Sequence, residues 1–309
     1  MPPIPPPRAS GFTTSTPVPL YWCAYGREGA RRLLVLHGGP GADHQYLLPQ
    51  MLDLASDHEL IFYDQRGGGR SRTDDPAPIT WETHADDLAA VVHEFGLSPL
   101  EIIGYSWGGL LAMLYAVRAK QLSDAEQVGG SGSRFPVPSS RLPSPQSLLL
   151  IDPAPTTRDY RAQFEAEFAR RQQGEAIQKL RSELAGSGLR ERDPDAYRQR
   201  GFELSVAGYF ADPGRARDLT PFRVVGRVQQ SVWASLGDFD LLPSLQQLKI
   251  PTLIVHGRQD PIPLASSEAA ANAMGARLVV LENCGHVPYV EQAPSLFDAM
   301  RQFLTTTPA

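Results

Sequence analysis

Six short runs of apolar residues, at 33–36, 60–63, 101–105, 148–151, 253–255 and 278–281, constrain this chain more than any other feature. A strand with one face in water alternates apolar and polar residues, whereas a run that is apolar throughout belongs to a strand buried on both faces. Such strands build parallel sheets. Segments of helical period separate the runs. Thr80 is placed to cap a helix over 81–95, with Trp81, Leu88, Val91, Val92 and Phe95 on one stripe. Residues 107–118 are apolar nearly all round, as in a helix packed deep against a sheet. Leu296, Phe297, Met300, Phe303 and Leu304 mark an amphipathic helix near the C-terminus. Strand and helix in alternation predict an α/β domain.

Two regions break the rhythm. Residues 156–244 hold no convincing strand: Tyr160, Phe164 and Phe168 fall four apart, and Ile177, Leu180 and Leu184 follow. Asp193-Pro194 and Thr220-Pro221 each pair a cap residue with proline at a first helical position. This is the pattern of a small helical domain inserted between two strands, leaving 1–155 and 245–309 as the core. Residues 123–146 are rich in Gly, Ser and Pro and predict a flexible surface loop.

Composition excludes several classes. Of 309 residues, 42% are hydrophobic and 20% charged, an ordinary globular balance, and the formal net charge is −5. A nucleic-acid partner would require a basic face, and no Lys/Arg block supplies one. No run approaches the length of a membrane span, and the start, MPPIPPPRASGF, lacks the apolar segment of a secretory signal. Two cysteines, Cys23 and Cys284, make no disulfide framework and suit a reducing cytoplasm. No histidine pair has the spacing of a helix-borne metal site and there is no C-x-x-C, so neither a metal nor a cofactor is expected.

Gly104-Tyr105-Ser106-Trp107-Gly108 is a G-x-S-x-G between a predicted strand and a predicted helix. Small residues there allow a tight turn that lifts a serine hydroxyl clear of the sheet. A serine needs a base, itself oriented by a carboxylate, and on this kind of fold the order is Ser, acid, His. Asp260 in GRQD follows the 253–255 strand, and His286 in NCGH follows the 278–281 strand. Both sit past strand C-termini, the edge where open α/β sheets bind ligands. His84 and His93 fall on the 81–95 helix toward its polar face, and His37 reads as structural. His37-Gly38-Gly39-Pro40-Gly41 follows the first strand, where backbone N–H groups can meet an oxyanion. The N–H of Trp107 would be the second donor.

HGGPG, DQRGGGRS at 64–71, GYSWGG, GRQD and the late GH together resemble the proline iminopeptidases, α/β-hydrolase serine aminopeptidases of peptidase family S33. The resemblance covers the core and implies an α/β-hydrolase fold with the helical insertion as its cap. It implies Ser106, Asp260 and His286 as the catalytic triad and the N–H groups of Gly39 and Trp107 as the oxyanion hole. It further implies release of an N-terminal proline, or another small residue, from short peptides. In this family acidic cap residues hold the substrate's free amine, and Glu203, among mostly uncharged neighbours in GFELSVAGYF, is the candidate. The elbow departs from the family's frequent GGSWG, and GYSWG also occurs in esterases of this fold. The same machinery would serve a carboxylesterase or lactonase, and a non-catalytic ligand receptor is the reading from another class. An ordinary imidazole at His286 would make activity fall as pH drops through about 6.5.

Overall fold

The computed structural model describes residues 3–128 and 142–307. Eight strands form one sheet in the order β1-β2-β4-β3-β5-β6-β7-β8. The strands are β1 (Ala9–Phe12), β2 (Tyr21–Tyr25), β3 (Arg31–Leu36), β4 (His58–Tyr63), β5 (Glu101–Tyr105), β6 (Ser147–Ile151), β7 (Thr252–Gly257) and β8 (Arg277–Leu281). The six from β3 onward are parallel and contain the six apolar runs, while β1 and β2 pair antiparallel on the β4 side.

The register shows why those runs are continuous. Leu33 and Val35 of β3 face one core with Phe62, Ile103, Leu149 and Val255. Leu34 and Leu36 face a second core with Ile61, Ile102, Leu150 and Ile254. Side chains alternate across a strand, so a sheet covered on both faces needs apolar residues at every position. The first core is closed by α11 (Ala293–Thr306) through Leu296, Met300 and Phe303. The second is closed by α1 (Trp81–Glu94) and α2 (Trp107–Val128). Thr80 caps α1 in a reciprocal capping box with Thr83. His84 departs from expectation: it is buried on α1, with Nε2 near the Arg66 carbonyl and its ring edge-on to Trp107. The predicted 123–146 loop is also corrected at its start, where α2 runs on to Val128; residues 129–141 lie outside the described residues.

Between β6 and β7 come helices α3 (Arg158–Gln172), α4 (Glu175–Gly186), α5 (Leu189–Arg192), α6 (Pro194–Val206), α7 (Gly226–Ser235) and α8 (Leu242–Leu245). Asp193 caps α6 and Pro194 opens it. Thr220-Pro221 starts no helix: the Thr220 hydroxyl donates to the Leu48 carbonyl and the Val225 N–H to the Gly41 carbonyl, holding the chain against the core until α7 begins. The excursion leaves and returns at one point. Thr157 and Asp240 form an isolated antiparallel bridge, with Arg158 N–H on the Phe239 carbonyl and Leu241 N–H on the Thr156 carbonyl. After β7 come α9 (Leu264–Met274), β8 and α10 (Pro288–Glu291). No helix among the described residues is long and apolar enough to cross a membrane.

Candidate active site

Five strands deliver site residues at one edge of the sheet. β3 ends at His37-Gly38-Gly39, β5 at Ser106, β6 at Asp152, β7 leads to Asp260 and β8 to His286. Ser106 has φ +54, in the left-handed region that L-residues seldom adopt, as the turn from β5 into α2 demands. Its backbone is held by Ser106 N–H on the Ile151 carbonyl and Ala154 N–H on the Ser106 carbonyl.

The structure brings Ser106, His286 and Asp260 together. His286 Nδ1 lies 2.7 Å from Asp260 Oδ2, and Nε2 lies 2.9 Å from Ser106 Oγ. With Nδ1–H donating to the carboxylate, Nε2 is left to accept from the serine hydroxyl. Asp260 Oδ1 accepts from the Ile262 N–H at 2.7 Å. The His286 backbone is itself pinned: its N–H donates to the Tyr209 carbonyl, and its carbonyl accepts from the Tyr105 hydroxyl. Glu291 ties the same loop to the helical excursion, accepting from the N–H groups of Gly285, Ala211 and Asp212. Burial pushes Asp260 up and His286 down, each toward its neutral form.

Sequence reasoning missed a second carboxyl. Asp152, buried and with φ +40, follows β6, and its side chain meets that of Asp260 behind His286. Its Oδ1 accepts from the Gly257 N–H at 2.8 Å. Burial and the neighbouring Asp260 push Asp152 far up. Two carboxyl groups in contact cannot both ionise in a buried site. Asp260 already accepts from Ile262 and His286, so the proton belongs on Asp152, which then donates to Asp260. The available signal was an acid directly after an apolar strand run. Asp152, Asp260 and His256 bring one ligand-type atom each within 4.8 Å. His256 is engaged with Ser267 Oγ and the Ile262 carbonyl, and burial holds it neutral, with its pKa down to about 3.

Gly39 lines the same cavity as Ser106 and Trp107 follows Ser106 in the chain, and among the described residues nothing accepts from either backbone N–H. Gly39 has φ +48. The two segments are joined by Gln65 of DQRGGGRS. Its N–H donates to His37 Nε2, its side-chain amide donates to the His37 carbonyl, and its Oε1 accepts from the Trp107 indole at 2.8 Å. His37 is therefore a buried hydrogen-bonded strut. Asp64 orders the same loop by accepting from His44 and from the Arg70 N–H.

Ser106 and His286 open into a cavity of about 340 Å³ walled by Tyr46, Phe202, Val206, Tyr209, Leu219 and Phe222. Glu203 is not among its lining residues, which corrects the expectation for that side chain. It sits on the next face of α6, where Arg200 Nη1 donates to Oε2 at 2.6 Å and Gln199 to Oε1, beside a separate cavity of about 110 Å³. A helix turns 100° per residue, so Phe202 and Val206 reach the first cavity while Glu203 points aside.

The pattern that defines the "Alpha/beta hydrolase family" matches residues 33–299. A curated relative, the proline iminopeptidase of Saccharolobus solfataricus, is 27% identical over 304 residues, covering 95% of this chain and 91% of the relative. Among solved structures, the proline iminopeptidase of Mycobacterium smegmatis superposes with a TM-score of 0.65 at 21% identity, over 97% of this chain and 98% of the other. An enol-lactonase from Burkholderia xenovorans LB400 superposes with a TM-score of 0.62 at 19% identity, over 96% and 100%. With the strand order, the serine turn and the matched span in agreement, this chain belongs to the alpha/beta hydrolase family, on the side of it that is similar to the proline iminopeptidases.

Proposed function

We propose that this chain is a serine hydrolase that cleaves small amides or esters through an acyl-enzyme on Ser106. The observation that carries the reading is the continuous hydrogen-bonded line from Asp260 through His286 to Ser106, ending in a cavity beside two backbone N–H groups that have no acceptor among the described residues. Ser106 Oγ attacks the carbonyl while His286 Nε2 takes its proton. The N–H groups of Gly39 and Trp107 receive the oxyanion, and His286 returns the proton to the departing amine or alcohol. Water then repeats the sequence on the acyl-enzyme. Helices α3–α7 act as the cap that limits substrate size.

Two substrate readings share this machinery. Release of an N-terminal proline is supported by the proline iminopeptidase relative. Ester or lactone cleavage is supported by the cavity wall, which among the described residues carries no Asp or Glu. Neither requires a metal, cofactor, nucleic acid or membrane; the partner is a small molecule or short peptide. The test is labelling by a fluorophosphonate: mass spectrometry should place the adduct on Ser106, and an unlabelled Ser106 in folded protein would overturn the reading.

The depressed imidazole changes the pH expectation. A base works while neutral, and burial lowers the pH at which His286 gains a proton. The acid limb of kcat/KM is therefore expected below 6.5, with little loss between pH 7.5 and 6.5. A midpoint at or above 6.5 would contradict this.

Asp152 is a positioning residue in this scheme. Asp152→Asn keeps a donor toward Asp260 and is expected to retain kcat within about tenfold. Asp152→Leu leaves Asp260 one donor short and lowers kcat roughly 10- to 100-fold at unchanged KM. Equal kcat in the two variants would remove Asp152 from the scheme.

A further inference from the structure

The cavity in front of Ser106 is neutral. Among the described residues, no Asp, Glu, Lys or Arg lines it, and His286 is the one titratable nitrogen there. The acids close to it are committed elsewhere. Glu203 is held by Arg200 and Gln199 outside the cavity, Glu291 is spent on three backbone N–H groups, and Asp152 and Asp260 lie behind the imidazole. The polar groups that do face the cavity are uncharged. Tyr46 hydroxyl accepts from the Gly38 N–H and keeps its own proton to donate, and Gln229 of α7 presents a side-chain amide. Phe202, Leu219 and Phe222 supply apolar wall.

A substrate ammonium buried here would leave water without a countercharge, a cost that favours its neutral analogue. It would also meet like charge, because His286 becomes an imidazolium once it has taken the Ser106 proton. A compact uncharged acyl group meets neither penalty and gains from the aromatic wall.

Building on the serine-hydrolase reading, we propose that the substrates are esters of compact, uncharged carboxylic acids, and that Gln229 stands where an amine-binding enzyme would need a carboxylate. Cleavage is the two-step displacement already given: the Ser106 oxygen replaces the alcohol, which leaves with the proton from His286, and water then releases the acid.

Methyl cyclopentanecarboxylate and methyl L-prolinate differ only in a ring CH₂ against a ring NH₂⁺, so they isolate the charge. At pH 7, kcat/KM for the carbocyclic ester should exceed that for the prolinate by about 100-fold, and Gln229→Glu should narrow the ratio at least about tenfold. If turnover is too slow to follow, the same ratio is read from the ester concentration that protects Ser106 from a fluorophosphonate. Equal values or a preference for the prolinate would overturn the inference while leaving the hydrolase reading intact. A Ser106 that takes up no fluorophosphonate and turns over neither ester would overturn the hydrolase reading, and this inference with it.

Discussion

Asp260→Asn is expected to lower kcat by about 10,000-fold, close to the loss from Ser106→Ala, although the two changes differ in kind. Ser106→Ala removes the attacking oxygen. Asp260→Asn keeps the shape but offers its own N–H toward His286, so the imidazole takes the tautomer whose Nε2 carries the proton and can no longer accept from Ser106. The variant should therefore fold, with a melting temperature near that of the parent. Its Ser106 should react with a fluorophosphonate at least about 1,000-fold more slowly, since that reaction needs the same base. If labelling stayed at the parent rate, His286 would be oriented by something other than Asp260. Steady-state rates, labelling rates and thermal unfolding on the same preparations separate these outcomes.

Gly108→Ala is the second large effect, and it falls on stability and chemistry together. A Cβ at Gly108 would stand 2.3 Å from the Leu36 carbonyl oxygen and 2.7 Å from that of His37, both rigid backbone at the end of β3. The helix start must then retreat from the strand, at a cost of about 3 kcal/mol. A chain of this size should lose roughly 5–10 °C in melting temperature for that cost. Retreat also separates the Trp107 N–H from that of Gly39, so the surviving folded protein should lose kcat. Gly201, in α6 with nothing within 4 Å of its Cβ position, is the control. There alanine is expected to be neutral or to stabilise by up to ~1 kcal/mol through helix propensity. Matching melting curves for the two variants would refute the packing argument.

Much of the fold was legible because burial on both faces leaves a trace in every residue of a strand. Leu33 to Leu36 could hardly be anything but a central strand, and the same holds for Leu148 to Ile151. The two antiparallel strands, β1 and β2, were not legible. β1 reads ASGF with alternate exposure, and its pairing with β2 is set by backbone bonds that leave no apolar signature. The line of Ser106, Asp260 and His286 could be read because each follows a strand, and strand ends in a parallel sheet lie on one edge. Glu203 has mostly uncharged neighbours in sequence, but its direction depends on which face of α6 packs inward. Arg200, three residues away, pairs with it and keeps the carboxylate on the helix surface. Asp152 escaped because an acid after a strand reads as a turn residue until its distance to Asp260 is known.

The two-residue neck at Thr157 and Asp240 has a consequence for how such a chain can diversify. Its two sides are bridged by backbone bonds, so the ends of residues 158–239 are already joined, while inner points such as Tyr209 and Val225 hydrogen-bond to the core. Changing what is strung between them, by exchange, shortening or insertion, alters loop closure only logarithmically and leaves the sheet register untouched. The segment nevertheless also braces the His286 loop, through the Tyr209 carbonyl and the Ala211 and Asp212 N–H groups. A graft of a relative's 158–239 segment onto this neck would keep the serine working only if it also supplied these braces to the His286 loop.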